Sequence, residues 1–134
     1  MLVVATGARR AAEDARLKTR RQSLTEELEE ATNKVQQIGH FLAAQNLDVV
    51  RIRAEEVLAT CQSVLGRWGS DACWKKPKNK LLSATEIIRS IAEIAATQCP
   101  LNAADKRAAA LAQLKASELI NAALAGSRSL QERN

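Results

Sequence analysis

The sequence predicts an all-α protein, an antiparallel four-helix bundle with an Arg-rich helical N-terminal extension. Three observations carry that prediction. Ala (25) and Leu (16) supply nearly a third of the 134 residues. Only three aromatics (Phe41, Trp68, Trp74), five Gly and two Pro stand against them, too few β-formers and turn residues for a sandwich or barrel. The apolar residues also recur at three- and four-residue intervals in four separate stretches, the period of a helix face. A 46% apolar content excludes a disordered chain, and no apolar run approaches the roughly 18 residues that cross a bilayer.

In the first stretch Leu17, Leu24, Leu28, Ala31, Val35, Ile38 and Leu42 form a heptad stripe broken only at Arg21. Ser23-Leu-Thr-Glu26 reads as a capping box, which places the helix start at 23 and puts Glu26, Glu27, Glu29 and Glu30 at its favourable end. The helix is expected to end near residue 45. Residues 8–22 are then either its extension or a separate Arg-rich segment. Asn46-Leu-Asp48 is a turn with an N-cap, followed by the stripe Val50, Ala54, Val57, Cys61, Val64 and Trp68, with Gly66 and Gly69 as its end. Residues 69–80 read as a basic loop broken by Pro77. A second capping box, Ser83-Ala-Thr-Glu86, opens a helix carrying Ile87, Ile88, Ile91, Ile94 and Ala95 that closes near Cys99-Pro100. Asn102 caps the last helix, which shows a face of Ala109, Ala112, Ala116, Leu119, Ile120 and Ala123 and stops at Gly126. The expected organisation is a basic extension (1–22), a bundle (23–126) and a flexible tail (127–134).

The formal charge of +5 is concentrated in two segments. Residues 9–21 hold Arg9, Arg10, Arg16, Lys18, Arg20 and Arg21 against Glu13 and Asp14, and residues 75–80 hold Lys75, Lys76, Lys78 and Lys80 directly after Trp74. Each segment is net +4, so the rest of the chain is slightly acidic. Such clusters hold phosphate backbones, and Trp74 beside lysines suits stacking on a base. No helix-turn-helix, RNA-recognition or zinc-finger pattern accompanies them, so low sequence specificity is expected.

Catalysis is not expected. With a single histidine there is no paired-His metal motif, and no phosphate-binding glycine loop occurs. Neither metal nor cofactor is anticipated. His40-Phe41-Leu42 resembles the start of the motif of histidine phosphotransfer domains, with Ala43 and Ala44 in place of the Lys and Gly that follow there. That resemblance implies a phosphoryl-accepting His40. Three cysteines (Cys61, Cys73, Cys99) in no metal-binding spacing read as reduced thiols, with Cys73 among lysines the one to test for reactivity. Together with a start too short for a signal peptide, they point to the cytoplasm.

The leading expectation is a non-catalytic assembly or adaptor protein that docks helix faces. Its partner is another protein or a second copy, engaged through Leu17, Leu24, Leu28, Val35 and Ile38. The alternatives are an accessory nucleic-acid-binding subunit that uses the two basic clusters, and a histidine phosphotransfer protein.

Overall fold

The computed structural model describes the backbone of residues 2–97 and 100–132, and the side chains of residues 8–17, 19–97 and 100–130. Four helices make up the fold: α1 (Leu2–Ala43), α2 (Leu47–Trp68), α3 (Lys75–Thr97) and α4 (Ala103–Glu132). A short 3₁₀ turn, Ala72–Trp74, leads into α3, and no strand occurs among the described residues. Each helix packs against two others: α1 on α2 and α4, α3 on α2 and α4.

The expected stripes form the core. Leu24, Leu28, Ala31, Val35 and Ile38 are at most 1% exposed, and Val50, Ala54, Val57, Cys61 and Val64 meet them from α2. Ile88 and Ile91 close the space from α3, and Ala109, Ala116, Ile120 and Ala123 from α4. Small residues on α4 let its neighbours approach, and one polar group uses that proximity. Gln113 Nε2 donates to the Val35 carbonyl at 3.0 Å, and Gly39 leaves the room: a Cβ there would lie 2.9 Å from the Gln113 amide carbon.

The helix boundaries depart from expectation in a consistent way: the helices run further. α1 does not begin at Ser23, because no Gly or Pro interrupts residues 8–38, and the Ala, Arg and Leu before Ser23 are good helix formers. Glu26, Glu27, Glu29 and Glu30 are therefore mid-helix, far from the dipole end. Ser83 likewise lies inside α3, which starts at Lys75. Pro77 is its third residue, where a missing N–H costs nothing because that group has no partner in the helix. Gly126 does not stop α4. The helix continues to Glu132, so residues 127–132 are not a frayed tail: Ser127 and Leu130 are buried there, while residues 133–134 lie outside the described set. Gly126 serves a close approach instead, since a Cβ at that position would sit 2.7 Å from Pro77 Cγ.

Two ends follow the sequence. Asn102 caps α4, its Oδ1 accepting from the Asp105 N–H at 2.8 Å. Gly69 ends α2, its N–H donating to the Leu65 carbonyl at 2.8 Å, whereas Gly66 is inside the helix. Asn46 occupies the cap position of α2 without a side-chain capping bond. The tight turn before it is closed by Gln45, which takes a left-handed φ of 59°. Its side-chain oxygen accepts from the Leu101 N–H at 3.2 Å.

Ion pairs fasten the outside. The Glu27 carboxylate accepts from Arg67, Glu29 from Arg128 at 2.6 Å, and Glu56 from Lys34 at 2.9 Å and Arg53 at 2.9 Å. The Lys34 hydrogen bond draws the Glu56 carboxyl below its ordinary pKa, and Glu56 in turn raises that of Lys34.

Candidate functional site

Both basic clusters come to the same end of the molecule. The Arg20 guanidinium lies 5.2 Å from the ring centre of Trp68, the last residue of α2. Arg21 Nη1 donates to the Leu130 carbonyl near the end of α4 at 3.3 Å. The 3₁₀ turn brings Trp74 against the same stretch of α4, its Nε1 donating to Ser127 Oγ at 2.9 Å. Lys75 follows immediately and opens α3. The chain that enters at the base of α1 and the lysines that begin α3 therefore share one pole.

The structure divides the candidate residues by what holds them. Trp74 is fully buried, so it has no free face to stack on a base, and its ring is part of the core. Arg21 explains the broken position in the heptad stripe. It stands among buried side chains because its guanidinium caps a carbonyl in the last turn of α4, where intrahelical donors run out and the dipole favours a cation. Arg20 lies over Trp68 and keeps an exposed side chain. Arg9, Arg10 and Arg16 are exposed, while the Lys18 side chain lies outside the described residues. At 3.6 residues per turn Arg9, Arg16 and Arg20 fall within about 40° of one another, forming one edge of the helix.

N-terminal to Leu17 the described side chains of α1 are no longer covered. Every side chain from Ala8 to Arg16 is exposed, and residues 2–20 rise about 29 Å at 1.5 Å each. Leu17 itself is half-buried.

Lys75, Lys76 and Lys80 are exposed and Lys78 is half-buried. They occupy the first two turns of α3, which carries no acidic residue in its first turn. Cations at a helix N-terminus oppose the dipole, an arrangement that a bound anion relieves. Beside them runs a groove of about 450 Å³, lined by Cys73, Lys75, Lys76, Pro77, Ser129 and Leu130 among others.

The remaining candidates are placed elsewhere. Leu24, Leu28, Val35 and Ile38 are consumed by the protein's own core and present no surface to a second chain. His40 is exposed in the last turn of α1, at the opposite end from the cationic pole, with its ring edge-on to Phe41 at 5.5 Å. Cys61 is buried, which pushes its thiol up to about 12, and Cys73 is exposed; Cys99 lies outside the described residues. Among the described residues no group of three or more His, Cys, Asp or Glu side chains is placed to hold a metal, and no helix is long and apolar enough to cross a membrane.

The inner face of α4 is the Ala-rich one, but among the described residues the outer face carries the two most exposed of the large apolar side chains. Leu111 is 62% and Leu114 is 58% exposed. Their three-residue spacing was visible in the sequence but was overshadowed by the Ala-rich face opposite. Comparison of the chain with protein-family models, with curated proteins and with solved structures finds no match.

Proposed function

We propose that this chain is a non-catalytic binding protein, an antiparallel four-helix bundle whose cationic pole grips the phosphate backbone of nucleic acid with low sequence specificity. The convergence of the two basic clusters at one pole carries the reading. Support for the antiparallel arrangement comes from the order of the cross-links: Glu27 meets Arg67 while Lys34, further along α1, meets Glu56, earlier on α2. Gln113 meets Val35 while Arg128 meets Glu29, the same reversal on α4.

Six side chains are free to reach phosphates: Arg9, Arg10, Arg16, Lys75, Lys76 and Lys80. They would act as point charges and forks on a track that combines an exposed helical stretch with a helix N-terminus. Burial of Trp74 removes the stacking contribution and leaves an electrostatic mode, which reads no sequence. A membrane surface fits less well, because Leu17 is the only large apolar residue between 8 and 21, too little to insert.

The test is binding of a mixed-sequence duplex and a single strand of RNA between about 50 and 200 mM salt, where four to six phosphate contacts cost roughly a hundred- to a thousandfold in affinity. Absence of binding at the low end, or binding to anionic vesicles alone, rejects the proposal.

A second reading, helical assembly through protein contacts, is favoured by one observation, the exposed Leu111 and Leu114. Phosphotransfer at His40 has no comparable support, since Ala43 and Ala44 replace the lysine and glycine of that motif.

A further inference from the structure

Helix α4 carries two heptad stripes on opposite sides. The inner one is the core face. The outer one runs through Ala104, Arg107, Leu111, Leu114, Glu118 and Ala125, at intervals of three, four, three, four and seven, and all six are exposed. A solvent face ordinarily carries its charges at the centre and has no reason to keep a 3–4 apolar period. Here two leucines hold the middle of its length, with Arg107 and Glu118 one turn beyond them at either end and Lys115 beside them.

We infer that this outer face is the interface of an antiparallel homodimer, in which α4 of a second copy lies across it with the two-fold axis passing between residues 112 and 113. The occupant follows from the arrangement of charge. About that axis Leu111 stands opposite Leu114 of the partner subunit, and Arg107 stands opposite Glu118 of the partner subunit. Symmetry repeats both pairs, so the one face satisfies itself, as an isologous interface requires. A parallel alignment would set Arg107 against Arg107 and Glu118 against Glu118, which repel. Glu118 is available for the pairing. On its own helix it has only a 3.9 Å contact with Lys115, both side chains being well exposed. Ala104, which falls opposite Asn121 of the partner subunit, allows close approach of the helix axes, in the range of about 8–10 Å.

The paired seam, from Ala104 to Asn121, is about 26 Å long, with two leucines per copy. Two leucines per copy make a small apolar contact, so a weak, concentration-dependent dimer is expected. This inference is independent of nucleic-acid binding. It does add one geometric consequence: an antiparallel pair sends the two cationic poles to opposite ends.

Sedimentation velocity of the full chain from about 1 μM to about 1 mM tests it. The expected result is a concentration-dependent monomer–dimer equilibrium. Leu111→Glu/Leu114→Glu should be monomeric throughout, with unchanged helical circular dichroism. Arg107→Glu and Glu118→Arg should each weaken the dimer by about tenfold or more. An equimolar mixture of those two variants should dimerise again, because each supplies the charge the other lacks. A monomer at every concentration, a dimer indifferent to the leucine changes, or charge variants that fail to rescue one another overturns the inference.

Discussion

Between Leu24 and Leu42 α1 buries an apolar residue at every third or fourth position and is joined by ion pairs to both neighbouring helices; between Ala8 and Arg16 each side chain of the same helix is exposed. No break separates the two halves. At the boundary Arg21 reaches a carbonyl in the last turn of α4. The contrast separates two properties that a helical sequence combines. Continuity of α1 across residues 8–38 follows from the absence of Gly and Pro in that stretch, whereas burial follows the heptad stripe. The packed half contributes stability. The exposed half, residues 8–16, buries no side chain and contributes little to stability.

Substitutions should divide along that line. Leu28→Ala or Ile38→Ala, each removing a fully buried side chain, should cost about 2–5 kcal/mol in urea unfolding. Next comes the anchor of the cationic pole. Ser127→Ala leaves the buried Trp74 N–H without an acceptor and should cost about 1–3 kcal/mol, read from the same transition. In the exposed half Arg9→Gln/Arg16→Gln should change stability by no more than about 0.5 kcal/mol while weakening nucleic-acid binding. Amide exchange should show the same division directly, with amides 8–16 little protected and amides 28–38 near the global limit, because the exposed turns have only local hydrogen bonds to break.

The smallest effect lies in the ion pairs of the packed half. Glu56 has a lowered pKa in the folded protein, so its contribution is present above the unfolded carboxylate range and is lost as pH falls through the folded value. Lys34 has a raised pKa, so its share is present below the unfolded lysine value and is lost as pH rises through the folded one. In an NMR titration Lys34→Met should bring the Glu56 carboxyl back up towards its ordinary range.

The stripes were legible in the sequence because burial imposes a period, and Val50 to Trp68 is buried as that period requires. Helix ends were less legible. Ser23-x-x-Glu26 and Ser83-x-x-Glu86 carry the residues of a capping box, yet such residues are equally at home mid-helix when nothing upstream interrupts the chain. Gly126 and Pro77 each read alone as a terminator; they are in fact one contact, 49 residues apart, and no local pattern reports it. The basic segments were visible as composition, but their meeting at one pole depends on tertiary contacts such as Arg21 to Leu130. Trp74, placed by sequence among lysines, was the misleading member, because its partner Ser127 lies in a segment read as a tail.

One site built from two clusters is the central claim, and the salt dependence of duplex binding tests it most directly. Arg9→Gln/Arg16→Gln and Lys75→Gln/Lys76→Gln should each lower the slope of log affinity against log salt by about 1.8, and the four changes together by about 3.6. Lys106→Gln, on the first turns of α4 away from this pole, should leave the slope unchanged. If the slope does not respond to either pair, or responds equally to Lys106, the cationic pole is not the binding site.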